Sequence, residues 1–268
     1  ESQDVQDFCF GSSDAKPLTL SFWAKSGSQN NGHTYGLMLG AWLGGTRNCQ
    51  TKSFTVTSSW QKFTMTFAAT GTAVSGSAIN NDNASGCQIH WSLVCGTDDQ
   101  KNYSTWTADT GLRGFSSQSN FNDHASNEFY LTGVQLEVSD HATEFEHLSY
   151  GVELARCQRY YYKHVEGNSK VVSLGFSSAT NQVSGYIQFP TTMRSSPSID
   201  HTNGDNYYRL GAGNLGGDKY VDGAWAVTGT TDKSTRIYAT PQTTLTAGEP
   251  GLVEATNASA YLAFSSEL

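Results

Sequence analysis

The sequence predicts an all-β protein: two β-sandwich or jelly-roll-like domains joined by one short α-helix. Three observations carry this. Apolar and polar residues alternate over short runs along most of the chain, the pattern of half-buried strands. The runs are separated by clusters of Gly, Asn, Ser and Thr, with 27 glycines in 268 residues, and these residues supply the turns that many short strands need. Only one stretch has helical spacing: Tyr150, Leu154, Cys157 and Tyr161 form a single apolar stripe.

In chain order, residues 1–14 read as an arm entering from an upstream region, because the chain opens on Glu1 rather than Met and shows no strand pattern there. A first sandwich spans 15–148. LTLSFWAK (18–25) places Leu18, Leu20, Phe22 and Ala24 on one face, the turn GSQNNGH follows, and YGLMLGAWL (35–43) is a buried strand. KSFTVT (52–57) and WQKFTMTF (60–67), separated by a short link, read as adjacent antiparallel strands. INNDNASG (79–86) is a polar loop, and CQIHWSLVC (87–95) reads as one strand with Ile89, Trp91 and Leu93 inward. Residues 97–127 form a long polar insert, and loops of that length are often functional. Phe129 to Val138 closes the domain, with Tyr130, Val134, Leu136 and Val138 on one face and Gly133 marking a bulge.

The helix is expected over 149–164, with Ser149 as N-cap and Arg156, Arg159 and Lys163 toward the end where the dipole favours cations. Its stripe has two readings: cover for a sheet of its own chain, or a seam between identical chains. A smaller β-domain over 165–268 follows from VVSLGF, VSGYIQF, SIDHT, YYRLG, AWAVT, TRIYAT and AYLAFS, with turns at NGDN (203–206) and GAGNLGGDKY (211–220).

The net charge of −8 with no basic run argues against nucleic acid as a partner. No apolar run reaches the length of a membrane span, so membrane insertion is not expected. The five cysteines Cys9, Cys49, Cys87, Cys95 and Cys157 form no close pair and read as small buried apolar residues, with a Cys9–Cys49 bridge left open. No nucleophile elbow, zinc-protease helix or phosphate loop occurs. Glu144 and Glu146 are the most suggestive carboxylate pair, but neighbours on an extended link meet the spacing for glycoside hydrolysis too easily to argue for it. The Asp-His neighbours at 123–124, 140–141 and 200–201 point to opposite faces and make no metal site. No cofactor is expected. A structural calcium has candidate oxygen donors at Asn80–Asn83 and Asp98–Asp99, which read equally as solvated turns.

The block LTGVQLEVSDHATEFEHLSYGVELARCQRYYYK (131–163) resembles a segment that recurs in tail-fibre and other virion proteins of bacteriophages, marine and cyanobacterial ones especially. DAKPLTLSFWAKS (14–26), WQKFTMTF, PTTMRSSPS (190–198) and SSEL (265–268) are similar to the same family. The resemblance implies a virion appendage that touches the host surface, with a sandwich like a carbohydrate-binding module, assembled as a homotrimer. The expected partners are then a host-surface glycan and other virion proteins. Sugar recognition needs flat aromatic faces beside a few placed polar groups. Tyr103, Trp106 and Asp109 in the insert, and Tyr207, Tyr208 and Trp225 in the second domain, are the glycan candidates. Tyr150, Leu154, Cys157 and Tyr161 are the candidates for contact between chains. Three functions follow as expectations: non-catalytic attachment to a glycan, a structural virion component, or the binding or trimer-capping end of a polysaccharide depolymerase.

Overall fold

The computed structural model describes residues 1–70, 78–211 and 219–267. The chain forms two compact units, Glu1–His147 and Leu148–Leu268, both built almost wholly of strands.

The first unit contains β1 (Leu18–Ser26), β2 (Thr34–Leu43), β3 (Thr46–Thr55), β4 (Gln61–Phe67), β5 (Cys87–Ser92), β6 (Gln100–Lys101), β7 (Thr107–Ala108), β8 (Gly114–Phe115) and β9 (Phe129–Glu137). A sheet ordered β4-β1-β9 packs on a sheet ordered β5-β2-β3-β7. Phe22 of β1 is the hinge of that packing. Its ring lies 5.3 Å from Phe54 of β3 and 5.7 Å from Trp91 of β5, edge to face in both cases, the arrangement aromatic quadrupoles favour. Leu18, Leu20, Phe22 and Ala24 face this core as their alternation predicts.

Four expectations are corrected here. Residues 1–14 are not a free arm: the 3-10 turn Ser2–Phe8 bonds to Asp82 and Ala84 through the Gln3 and Ser2 amides, and Phe8 and Phe10 are buried. Burying each phenylalanine stabilises by about 1.5–3 kcal/mol, enough to draw the segment onto the sandwich. β3 and β4 are not partners. β3 pairs with β2 and β4 with β1, so the link between them crosses from one sheet to the other. β5 ends at Ser92, which leaves Cys95 beyond the strand. In β9, Gly133 has φ +57° and the register shifts beside it. The bulge is as expected, but it reverses the parity: Tyr130 lies opposite Lys25 on the outer face while Leu136 packs toward the core.

The second unit opens with α1 (Tyr150–Gln158), then β10 (Tyr161–Glu166), β11 (Lys170–Ala179), β12 (Gln182–Gln188), β13 (Ser198–His201), β14 (Asp205–Gly211), β15 (Lys219–Thr228), β16 (Ser234–Pro241), β17 (Pro250–Ala255) and β18 (Tyr261–Ser265). Six strands close into an antiparallel barrel in the order β11-β12-β16-β15-β14-β17, and β10, β18 and β13 form a separate sheet. Closure removes the edges of the larger sheet. The barrel wall needs glycine where strands face inward closely: a Cβ on Gly185 would lie 2.1 Å from Ser173 Oγ. Of the expected turn at 211–220, residues 212–218 lie outside the described residues.

The helix is shorter than expected. It ends at Gln158, and Tyr161 starts β10 opposite Ser265, so Tyr161 leaves the stripe. A run of three tyrosines followed by Lys-His-Val favours a strand. Ser149 is the N-cap residue, but no side-chain bond caps the helix. The carbonyl of Arg159, past the helix end, accepts from the Arg194 amide and the Ser266 hydroxyl. No helix of the described residues is long and apolar enough to cross a membrane. All five cysteines are free. Only Cys49 is fully buried, and Cys157 is exposed on α1, contrary to the buried reading.

Two half-buried histidines of this unit are hydrogen-bonded. His164 Nε2 donates to the Val172 carbonyl at 2.6 Å, which leaves Nδ1 to accept from the Tyr162 hydroxyl at 2.9 Å. His201 Nε2 accepts the Trp225 amide at 3.0 Å. Burial lowers the pKa of both below the ordinary histidine value. A folded-state pKa below the unfolded one contributes stability above about pH 6.5 that is lost as pH falls through the folded value. The second unit is therefore expected to weaken below about pH 6.5, by at most about 1.4 kcal/mol per pH unit for each histidine. Urea denaturation followed by hydrogen exchange of its peptides checks this, with His164→Gln reducing the slope. A stability that is flat from neutral pH to about pH 5 contradicts it.

Candidate functional site

The glycan candidates named from sequence do not form an open site. Tyr208 is fully buried in the barrel, donates its hydroxyl to the Tyr261 carbonyl at 2.6 Å, and has a phenol pushed up to about 12 by burial. Trp225 is 2 % exposed and meets Tyr208 edge to face at 5.6 Å. Tyr207 is half-buried against the same core, over Gly204. Alternation puts one of two neighbouring tyrosines outside, but the register shift between Asp205 and Tyr208 lets both pack inward. Tyr208 and Trp225 are corrected to core residues, and Tyr207 to a half-buried ring packed against that core.

In the insert, Trp106 packs its ring 5.1 Å from Phe10 and donates Nε1 to the Ala68 carbonyl. Asp109 is the hub of a loop clasp. Arg113 donates Nε to its Oδ2 and Nη2 to its Oδ1, each at 2.8 Å, and Tyr103 donates its hydroxyl to Oδ2 at 2.7 Å. The Arg113 bonds hold the Asp109 carboxyl far below the usual carboxylate range, and the bond to Asp109 pushes the Tyr103 phenol up to about 12. Asp99 also pairs with Arg113. Tyr103 and Asp109 thus brace the insert internally, and Trp106 fixes it to the sandwich.

Of the calcium candidates, Asp99 is paired with Arg113 and Asp82 is engaged by backbone. Asp82 Oδ1 accepts the Ala84 amide, and no group of three or more metal-binding side chains occurs among the described residues. Tyr150, Leu154 and Cys157 are exposed on α1, which has no buried residue.

Instead, the outer face of the β4-β1-β9 sheet gathers aromatic and cationic groups. Part of this face is covered by residues 139–147. Thr19 and Thr66 hydroxyls donate to the carbonyls of Ser139 and Asp140, and Lys62 Nζ donates to the Thr143 carbonyl. Gln135 bonds the carbonyl of Glu144 and the amide of Glu146. The backbone at Glu144 and Glu146, not a carboxylate pair, is what this strap uses. Phe145 lies near Gly133, where an added Cβ would come 3.1 Å from Trp23.

Beyond the strap the face stays open. Trp60, just before β4, Lys25 of β1 and Tyr130 of β9 form one row across the sheet. Trp60 is 44 % and Tyr130 41 % exposed. Their ring centroids are 6.5 Å apart at 65°, and Lys25 Nζ sits between them, 5.4 Å from Trp60 and 4.7 Å from Tyr130. A hydrogen bond to Glu128 raises the Tyr130 phenol. Glu128 is itself fixed through its backbone: buried Asn30 accepts its amide and donates to its carbonyl. Trp23, 40 % exposed, extends the aromatic surface by one row. Sequence reasoning missed this row because its members come from three strands far apart in the chain. The signal present was an outward Trp and Lys alternating with the inward face of β1.

No family model, curated protein or solved structure matches the chain.

Proposed function

We propose that the chain is a non-catalytic attachment segment of a phage tail fibre or similar virion appendage, and that it binds a host-surface glycan through the Trp60–Lys25–Tyr130 row. The observation that carries this reading is the row itself. Two exposed rings offer flat apolar faces to the C–H side of a pyranose, and charged groups beside them reach hydroxyls. The surrounding structure supports a rigid platform: the strap and Asn30 bond the neighbouring backbone, so little ordering remains to oppose binding. An open platform gives weak single-site binding. In a homotrimer three linked copies gain effective concentration, which multiplies weak sites without new contacts.

The test is binding of the full chain to glycan arrays and to host cells. Trp60→Ala or Tyr130→Ala is expected to weaken binding about 30-fold, the loss of roughly 2 kcal/mol usual for a central aromatic anchor. Unchanged binding by both variants refutes the assignment of the row. Shortening of the polysaccharide by the wild-type chain refutes the non-catalytic reading.

A second reading, a structural component that binds other virion proteins, draws on the barrel exterior. Val171, Leu174, Phe176, Tyr186 and Leu252 are exposed there, Leu174 at 79 %. Leu174 pairs with Leu252 across β11 and β17. Contiguous apolar surface of this kind marks interaction sites. A chain that retains no glycan or cell while assembling with itself or with virion proteins favours this second reading.

A further inference from the structure

We infer that the Trp60–Lys25–Tyr130 row selects acidic pyranosides, sugars carrying a ring carboxylate of the uronic-acid type, over their neutral counterparts. The inference rests on the glycan-binding reading of this surface and names its ligand class.

The argument starts from charge. The chain carries −8 overall, so an anionic polymer is repelled at long range unless the contact surface supplies cations. This face supplies them. Lys25 lies at the centre of the row and Lys62 in the next row toward the strap, opposite Trp23. Among the described residues no carboxylate pairs with the Lys25 ammonium and no oxygen accepts from it; it lies against the two rings. Lysines are normally solvated, and holding one between aromatic faces places a fixed cation where three N–H donors remain available. Lys62 spends one donor on the Thr143 carbonyl and keeps the others. The Glu128 carboxylate raises the Tyr130 phenol and forms no ion pair with Lys25 among the described residues.

The dimensions agree. The Trp60 and Tyr130 rings stand 6.5 Å apart, and a two-residue step of ~7 Å to the next row gives a platform the size of about one pyranose ring. A ring stacked on Trp60 or Tyr130 brings an equatorial substituent to the notch that Lys25 fills. A carboxylate there adds the attraction of opposite charges to the hydrogen bond, which a hydroxyl or ester oxygen cannot do. The rings then supply affinity for any pyranose, and Lys25 supplies the preference.

The test measures binding of the full chain to oligogalacturonate and to its methyl ester, the same sugar without the charge, at low and high salt. The acid is expected to bind about tenfold tighter than the ester at low salt, with the gap narrowing as salt screens it. Lys25→Met, which keeps an unbranched apolar stem against the rings, is expected to abolish the preference, so that acid and ester bind alike. Lys25→Arg is expected to keep it. Equal binding of acid and ester by the wild-type chain, with both lost on Trp60→Ala, overturns the acidic selectivity and leaves the glycan reading standing. Preference that survives Lys25→Met also overturns it. Binding to neither sugar, nor to any neutral glycan, overturns both.

Discussion

Replacing Trp225 with alanine is expected to destabilise the second unit strongly rather than remove a ligand contact. The side chain is 2 % exposed, packs edge to face on Tyr208, and stands among Val221, Ile237 and Val253 in the barrel core. A barrel closed on all sides has no edge that can move inward to fill the void. Truncating a buried tryptophan costs about 3–5 kcal/mol, against a total of about 5–15 kcal/mol for a domain. For a unit of this size that is a fall of about 12–20 °C in Tm. Trp225→Phe is expected to cost much less. It keeps most of the volume, and it also removes an indole N–H that has no hydrogen-bond partner among the described residues, a donor whose burial is itself unfavourable. Hydrogen exchange of peptides from β15 and β16 separates this unit from the first. A Trp225→Ala chain with unchanged exchange and lost glycan binding contradicts the core assignment.

Trp225 also shows what a sequence can and cannot reveal about this fold. Strands were legible wherever period-two alternation was clean: β1, β2, β4, β12 and β16 lie where their patterns put them, and Gly133 marked a real bulge. Alternation fixes parity but not register, and a single irregularity inverts it. The bulge at Gly133 sends Tyr130 outward, and the shift before Tyr208 turns two neighbouring tyrosines inward. Tyr161 was lost for a different reason. With tyrosine at three successive positions, any period finds an aromatic, so the four-three-four spacing continued past the helix end by composition alone. β17 was hidden by its content, since a strand with Pro at its start and Glu254 within it has little apolar signal; the carboxylate pairs with Arg209 on β14 at 2.9 Å. The candidate site was the least legible part. Lys25, Trp60 and Tyr130 are brought together by pairings between β1, β4 and β9, and long-range pairing is not encoded in local pattern.

Asp109→Asn is expected to loosen the insert and destabilise the first unit by about 3 kcal/mol at neutral pH, the usual cost of breaking a mostly buried ion pair from one side. The Asp109 side chain is 10 % and that of Arg113 19 % exposed, so the guanidinium left behind keeps only the exposed Asp99 as an ionic partner, with little water to replace the bidentate one. Asparagine also turns an amide N–H₂ toward either Arg113 or the Gly111 amide, both donors that now face the carboxylate. Tyr103→Phe removes one donor and leaves the ion pair, and is expected to cost about 1 kcal/mol. The pH dependence gives a separate check. The Asp109 pKa is depressed in the folded chain, so its stabilisation is complete above the unfolded value of about 4 and is lost as pH falls below it. The gap between wild-type and Asp109→Asn stability is therefore constant through the histidine window near pH 6.5 and closes only below about pH 4. A gap unchanged at about pH 3 contradicts the ion-pair account. Glycan binding, measured per folded molecule, is expected to survive Asp109→Asn, because every carboxylate contact of Asp109 is spent within the loop. Loss of binding by a variant that remains folded would return Asp109 to the ligand site and move recognition from the open sheet face to the insert.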